Sequence, residues 1–197
     1  IFTPVPVLTS VECSEWENGS EPCGMMLAGT RTRGVVTLYK NGTEIFKEAG
    51  EIQFTKYGLS GICVFNMTRF MRYDRKAGES IDSFTIEADL FPDGDIREYL
   101  KDRRDGVFSS SPAADVLCTV LRKNIAEYVL KRAEHPASER SYKSLPVSEL
   151  TDEDIGSIAR AVHHLTFHPS ALRGWKEAQA TAGGVSMDEL DERTAQS

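Results

Sequence analysis

Hydrophobic and polar positions alternate along the first half of the chain in the way that β-strands require. Residues 33–39 (RGVVTLY) are rich in β-branched and aromatic residues, and an Asn-Gly pair at positions 41–42 separates them from residues 44–49. Asn-Gly between two strand patterns favours a tight hairpin, because a type I′ turn needs positive φ at both central residues. Gly50 then separates this hairpin from another strand at residues 51–55, so the pattern predicts an antiparallel meander.

After the meander, the pattern changes from strand to helix at a turn that two glycines flank. Gly58 and Gly61 bracket this turn, and glycine readily adopts positive φ or lets another backbone or a ligand approach closely. Ser60 is the expected N-cap of the helix, since its hydroxyl can accept from a free N–H group. Apolar residues then recur at helical spacing: Cys63, Val64, Met67, Phe70 and Met71. The turn is a candidate anion or cofactor contact, and a purely structural corner is the alternative.

The two ends of the chain supply further strand patterns. Residues 4–11 (PVPVLTSV) predict an edge strand that prolines open. Residues 14–29 are rich in Gly, Glu and Ser and predict a loop, whereas residues 82–91 alternate again. Residues 165–168 and 175–181 (WKEAQAT) predict two more strands near the C-terminus.

The intervening segment has helical spacing instead. A Ser-Pro pair at positions 111–112 predicts a helix start. Four apolar residues predict that this helix continues through about Ala133: Leu117, Leu121, Ile125 and Val129. Thr151 and Asp154 have the spacing of a capping box ahead of a further amphipathic helix.

Together these patterns predict an α+β fold. We expect an antiparallel or mixed β-barrel-like domain built from both chain ends, with an inserted all-helical subdomain. The predicted divisions are residues 1–92 and 165–187 for the β-barrel-like domain, 93–164 for the helical subdomain, and 188–197 for an exit segment. Because this order is nested, residues 1 and 197 are expected to lie near each other.

Composition narrows the range of partners. The 197 residues are 40% hydrophobic and 27% charged, and the net charge of -7 argues against a nucleic-acid partner, which needs clustered Lys and Arg. No apolar run is long enough to span a membrane, and the N-terminal residues have no secretory leader pattern. The 4 Cys are scattered, which favours a reducing, cytoplasmic setting. Cys63 and Cys118 lie in apolar contexts, so we expect both thiols to be buried.

Two clusters of possible metal or acid–base residues are weak candidates. His163, His164 and His168 would need a continuous helix to share a metal, and Pro169 argues against that continuity. An acidic cluster near the C-terminus is expected to be a solvated loop: Asp188, Glu189, Asp191 and Glu192. We therefore expect no metal site, and the sequence assigns no catalytic residue.

Two motifs together resemble a known family. They are FTKYGLSG at residues 54–61 and TAGGVSMDELDERT at residues 181–194. They are similar to motifs of the YhiN/BaiN-type flavoproteins, the aminoacetone oxidase family of bacterial FAD-dependent oxidoreductases. PVPVL at residues 4–8 and Arg173-Gly174 also fit the order of that family, so the resemblance extends over essentially the whole chain.

The resemblance implies that this chain is the insert, or substrate-cap, region of such a flavoprotein. The FAD-binding Rossmann-type domain is absent, since no G-x-G-x-x-G stretch occurs, so the chain alone is expected to hold no FAD and to be inactive. The implied partners are the FAD-binding domain of the same parent chain, a small-molecule substrate and NAD(P)H. The implied cofactor-facing residues are Thr55, Tyr57, Gly58, Leu59, Ser60, Gly61, Thr181, Gly183, Gly184 and Val185.

Three positions depart from the family pattern. Lys56 stands where His is frequent, which puts a proton-transfer role there in doubt, and Ile62 stands where Pro is frequent. Arg122 replaces a frequent Pro, so residues 112–133 are expected to form a less kinked helix. The alternative function, which the residues alone leave open, is a free-standing acidic binding module for a protein or small ligand with no catalysis.

Overall fold

The structure is a computed structural model that describes residues 2–17, 23–72, 80–134, 141–185, 190 and 193–194. The strands are β1 Phe2–Val7, β2 Val11–Cys13, β3 Arg31–Lys40, β4 Thr43–Phe54, β5 Gly58–Ser60, β6 Phe84–Asp89, β7 Leu165–Phe167, β8 Pro169–Leu172 and β9 Ala180–Gly184. The helices are α1 Ser14–Glu17, α2 Cys23–Leu27, α3 Ile62–Thr68, α4 Ile96–Asp105, α5 Ala113–Leu117, α6 Lys123–Ala133 and α7 Asp152–His163. Short 3₁₀ helices occupy Ile81–Ser83 and Val147–Glu149.

The described strands form a seven-stranded sheet of order β7-β6-β3-β4-β5-β2-β8 and a separate two-stranded sheet of β1 and β9. Every pairing is antiparallel. The antiparallel α+β class is therefore confirmed. The hydrogen-bonded ladder of the described strands stays open between β7 and β8, so no closed barrel forms there.

The central hairpin follows the predicted pattern with one difference. Asn41 and Gly42 have φ of 51° and 79°, as the tight turn between β3 and β4 requires. Gly50, however, does not separate two strands, because β4 runs through it without a break. A Cβ at this position would lie 2.9 Å from Cys63 Cβ, so the missing side chain allows α3 to pack closely against the sheet.

The predicted N-terminal strand is interrupted. Leu8 has a φ of 53°, and the chain changes direction there between β1 and β2. The two resulting strands pair with different partners, since β1 pairs with β9 whereas β2 lies between β5 and β8. Residues 1 and 197 lie outside the described residues, but the pairing of β1 with β9 brings the two ends of the described fold together.

The C-terminal strand lies later in the sequence than predicted. Residues 175–177 form a turn instead of a strand, because Gly174 has a φ of 75° and its carbonyl accepts from the N–H groups of Glu177 and Ala178. Strand β9 begins only at Ala180. The pattern also missed β8, which begins at Pro169 and pairs with β2.

The segment predicted as a loop at residues 14–29 contains α1 and α2. Tertiary contacts stabilise these short helices, because the Trp16 indole N–H donates to the Thr55 carbonyl at 2.9 Å and Leu27 is fully buried. Periodicity cannot reveal helices of one turn whose partners are distant in sequence.

Helices α4 to α7 lie between β6 and β7, which pair directly with each other. The Thr151–Asp154 capping box at the start of α7 is confirmed. The single helix predicted over residues 112–133 is wrong, because α5 ends at Leu117 and α6 starts at Lys123. Arg122 takes φ −62° and ψ 142° at this break, so the break persists without proline.

The hydrophobic core is continuous across sheet and helices. Phe54, Phe84 and Phe167 from the sheet and Tyr128 from α6 are among its largest buried side chains. Cys63 is buried as predicted, and burial raises the pKa of its thiol to about 11. Cys118 contradicts the prediction, because it follows the end of α5 and is exposed.

Candidate cofactor-facing site

Residues 55–61, here called the glycine turn, are closed by a single threonine side chain. Thr55 Oγ1 accepts from the N–H groups of Tyr57 at 3.3 Å and Gly58 at 3.1 Å, and it lies 3.0 Å from the Gly58 carbonyl, to which it can donate. The Thr55 N–H also donates to the Gly58 carbonyl at 2.8 Å. Because the polar groups of Thr55 are already paired within the protein, its main contribution is to fix the shape of the turn.

Both glycines of the turn lie against backbone from neighbouring strands. A Cβ at Gly58 would lie 2.1 Å from the Val11 carbonyl oxygen, and one at Gly61 would lie 2.2 Å from the Glu51 carbonyl oxygen. Gly61 also has a φ of 109°. The close approach that the sequence pattern indicated is therefore made by the protein's own β2 and β4.

Ser60 is not the N-cap of α3. It belongs to β5, and its hydroxyl accepts a hydrogen bond from the Ser10 hydroxyl at 3.1 Å. The N-cap is Gly61, which offers no side-chain oxygen. Leu59 is fully buried, whereas Ile62 at the first position of α3 is 72% exposed. The solvent side of the turn thus presents Lys56 and Ile62 rather than Leu59 or Ser60.

Next to the glycine turn lie four side chains, here called the Arg173 cluster: Glu12, Tyr57, Arg173 and Glu177. The Arg173 guanidinium donates to Glu12 at 2.6 Å and to Glu177 at 2.7 Å, and it stacks over the Tyr57 ring at 4.2 Å from the centroid. The Tyr57 hydroxyl lies 3.5 Å from the second oxygen of Glu177. The Arg173 hydrogen bond lowers the pKa of the Glu177 carboxyl, and both carboxylates raise the pKa of Arg173.

The second predicted segment lies on β9, which pairs with β1. Thr181 is opposite Pro6 and Gly184 is opposite Phe2. Gly183 and Gly184 have φ of 106° and 105°, and a Cβ at Gly184 would meet nothing within 4 Å. Thr181 and Gly183 are exposed, and Val185 is 47% exposed. This end of β9 therefore has the room for an external group that the glycine turn lacks.

The Arg173 cluster lies between the glycine turn and the start of β9. Gln179 donates its N–H to the Leu8 carbonyl, and Ala180 pairs with Val7, so β9 starts close to Glu177 along the chain. Gly184 lies four residues farther along β9, or about 13 Å at the usual rise of a strand. Tyr57 is thus near the base of β9, and the glycine pair is at its far end.

Each histidine of the candidate metal cluster contacts a different carboxylate. His163 Nδ1 lies 2.9 Å from Asp89, His164 Nδ1 lies 3.2 Å from Glu87, and His168 Nδ1 lies 2.7 Å from Glu15. Within the described ranges, no three His, Cys, Asp or Glu side chains are grouped so as to hold a metal ion. The acidic residues Asp188, Glu189, Asp191 and Glu192 lie outside the described residues.

Sequence reasoning missed a cleft between the sheet and the helices. Its volume is about 550 Å³, and its polar lining includes Lys47, Glu87, Asp89, Arg97 and His163. His163 Nε2 accepts from the Ile96 N–H at 3.2 Å, so the ring bridges α4 and the Asp89 carboxylate. Its lining residues are spread over residues 35–164, so no local pattern could indicate it.

A bound FAD fits only part of the predicted site. The open space at Gly184 leaves room for a planar ring, whereas the space beside Gly58 and Gly61 is filled by the protein's own carbonyls. The sequence also lacks the glycine-rich turn that binds a dinucleotide pyrophosphate. Of these predicted cofactor-facing glycines, Gly184 therefore has room for an external group, whereas Gly58 and Gly61 do not.

Comparison with known proteins places these features in a family. The model of the family described as HI0933-like protein barrel and H2TH domain matches residues 20–180. The ribosomal RNA dihydrouridine synthase of Escherichia coli (strain K12) is 26% identical over 169 residues, which cover 86% of this chain and 37% of that protein. The 3-dehydro-bile acid delta(4,6)-reductase of Clostridium scindens is 24% identical over 172 residues, covering 86% and 40%.

The chain spans about two fifths of the length of these curated relatives. Among the described residues, no helix has the length and apolar character needed to cross a membrane.

Proposed function

The chain belongs to the HI0933-like flavoprotein family, and we propose that it is the insert and substrate-cap region of a bacterial FAD-dependent oxidoreductase. In this proposal the FAD-binding domain lies elsewhere in the same parent chain. The observation that carries the proposal is the pairing of β1 with β9, which brings both ends of the described fold to one place. A domain inserted into another needs its two ends close together.

The proposed domain organisation keeps the predicted divisions. The sheet would form a barrel-like body, since His168 alone separates the two edge strands β7 and β8 along the chain. Helices α4 to α7 would form the inserted subdomain, and residues 188–197 would lead toward the FAD-binding domain. The description of the matching family, a barrel with an H2TH domain, supports this division.

The proposed role of the cofactor-facing residues follows from their surroundings. Gly183, Gly184 and Val185 would contact the flavin, and Thr181 and Tyr57 would line the adjoining substrate pocket. Bound FAD would supply the redox chemistry, while these residues exclude water and orient the substrate. Thr55, Gly58, Leu59, Ser60 and Gly61 would act by fixing the shape of the turn beside that pocket.

We propose a small-molecule substrate, with NAD(P)H as electron donor, in a cytoplasmic setting. The acidic net charge of -7 supports this class over a nucleic acid. The names of the two relatives refer to different substrates, a ribosomal RNA and a bile acid derivative, so they assign none to this chain. Lys56, in place of the frequent His, makes a proton-transfer role at that position unsupported.

The test is an absorption spectrum from 300 to 550 nm of the whole parent protein beside this chain alone. The proposal predicts flavin bands in the parent and none in the isolated chain, which lacks a pyrophosphate-binding turn. A parent protein without flavin bands would rule the proposal out.

The alternative is an acidic binding module without catalysis. The cleft of about 550 Å³ between the sheet and the helices favours it, because pockets of this size accept small ligands. A chain that binds a small molecule in this cleft, within a parent that never binds flavin, would support the module over the oxidoreductase.

A further inference from the structure

We propose that Arg173 is a positioning residue that holds the Tyr57 side chain and the base of β9 in one fixed arrangement. Through this arrangement it would set how closely the chain covers the flavin. The inference rests on the proposed function, since it concerns the same cofactor-facing wall.

Arg173 joins three segments that are far apart in sequence. Its side chain bonds to Glu12 on β2 and to Glu177 in the segment before β9, and its own N–H donates to the Ser10 carbonyl at 3.1 Å. Its guanidinium also stacks on Tyr57 in the glycine turn. Glu12 is in turn paired with Gly58 across β2 and β5, so the cluster is anchored on the turn from both sides.

The orientation of Tyr57 depends on this cluster. The Tyr57 ring contacts Arg173 and its hydroxyl contacts Glu177, and neither residue belongs to the glycine turn. Thr55 fixes the backbone of the turn, because its hydroxyl bonds to backbone groups of Tyr57 and Gly58. Without Arg173, the turn would keep its shape while the Tyr57 ring would lose its support.

The contacts of the cluster require an arginine, and another cationic side chain such as lysine cannot replace it. A planar guanidinium can bond to two carboxylates in its plane while an aromatic ring stacks on its face. Lysine offers one compact charge and cannot make these contacts together. Loss of the cation would also leave Glu12 and Glu177 facing each other as like charges.

The two carboxylates and the cation are each only partly exposed, at 27% for Glu12, 36% for Glu177 and 32% for Arg173. The segment that follows Arg173 is short and constrained: Gly174 accepts from Glu177 and Ala178, and Gln179 bonds to Leu8 immediately before β9 begins. A shift of Glu177 is therefore transmitted to the base of the strand that carries Gly183 and Gly184.

The experiment measures flavin accessibility in the whole parent protein, with iodide as a collisional quencher of flavin fluorescence. The main variant is Arg173→Lys, which keeps the charge and hence the local iodide concentration. Its matched control is Arg31→Lys, because Arg31 pairs with the exposed Glu51 carboxylate at 3.1 Å. The thermal unfolding midpoint of each variant is measured in parallel.

For Arg173→Lys we expect the quenching constant to rise roughly threefold, because a lysine cannot hold both carboxylates and the ring. The Arg31→Lys control is expected to match the wild type. Glu177→Gln, compared with Glu51→Gln, is a second pair that loses the same charge at each site. Glu177→Gln is expected to raise the quenching constant relative to Glu51→Gln.

An unchanged quenching constant in Arg173→Lys and Glu177→Gln, in a parent that does contain flavin, would overturn the positioning role and leave the proposed function standing. Loss of thermal stability with no change in quenching would equally overturn it, since Arg173 would then be structural only. A wild-type parent without flavin would overturn both the inference and the proposed function.

Discussion

Gly58 and Gly61 illustrate at the scale of single residues how one pattern can have two causes. The sequence indicated close approach by a backbone or a ligand, and the structure shows that the approaching groups are carbonyls of β2 and β4. Glycine chemistry predicted the need for space but could not identify what occupies it, because the occupants lie 47 and 10 residues away at Val11 and Glu51. Of the predicted cofactor-facing glycines, Gly184 has open space, because a Cβ there would meet nothing within 4 Å.

The two kinds of glycine predict different costs of substitution. Gly61→Ala should destabilise the chain by about 4 kcal/mol, since a Cβ there meets a strand carbonyl at 2.2 Å and φ is positive. Gly184→Ala should cost only about 1–2 kcal/mol, from the backbone conformation alone. Urea unfolding followed by circular dichroism measures both, and equal losses would contradict the assignment of Gly61 to packing.

At the scale of elements, patterns with local causes were predicted well. The Asn41–Gly42 hairpin and the Thr151–Asp154 capping box depend on residues adjacent along the chain, and both are present. The strand predicted at residues 175–181 is wrong at its start, because residues 175–177 form a turn closed by hydrogen bonds to the Gly174 carbonyl. Helices α1 and α2 were missed because contacts such as Trp16 with Thr55 stabilise them from a distance.

The break between α5 and α6 is a further case in which the apolar spacing along the sequence predicts a continuous helix that the fold does not form. Leu117, Leu121 and Ile125 are all buried, so apolar spacing continues across the break although the helix does not. Arg122 already has the φ of −62° that proline requires, at the N-cap of α6. The break is therefore a property of the fold and does not depend on a proline.

This geometry predicts that Arg122→Pro is tolerated, with a change in stability within about 1 kcal/mol of the wild type. Glu127→Pro, within α6, is the matched control and should cost about 3 kcal/mol or more, because it removes an intrahelical hydrogen bond. Urea midpoints of the two variants provide the comparison. If Arg122→Pro lowered the free energy of unfolding as much as the control does, Arg122 would not have the proline-compatible conformation described above.

At the scale of the whole molecule, the α+β class with antiparallel sheets was predicted from the sequence and is confirmed. Strand β6 pairs with β7 and β1 pairs with β9, while the division into a barrel-like domain and an inserted helical subdomain stays a prediction. The cleft lined by the sheet and helices, and the Arg173 cluster, were not predicted. Both depend on residues brought together only by the completed fold.

The central claim, that this chain is an insert covering the flavin of a larger protein, is tested most directly by removing it. Because β1 and β9 pair, a short Gly-Ser linker can replace residues 2–185 in the parent protein without separating the flanking segments. We predict that the shortened protein still shows flavin bands and that iodide quenches its flavin more strongly than in the whole protein. A flavin equally protected in both proteins would contradict the claim.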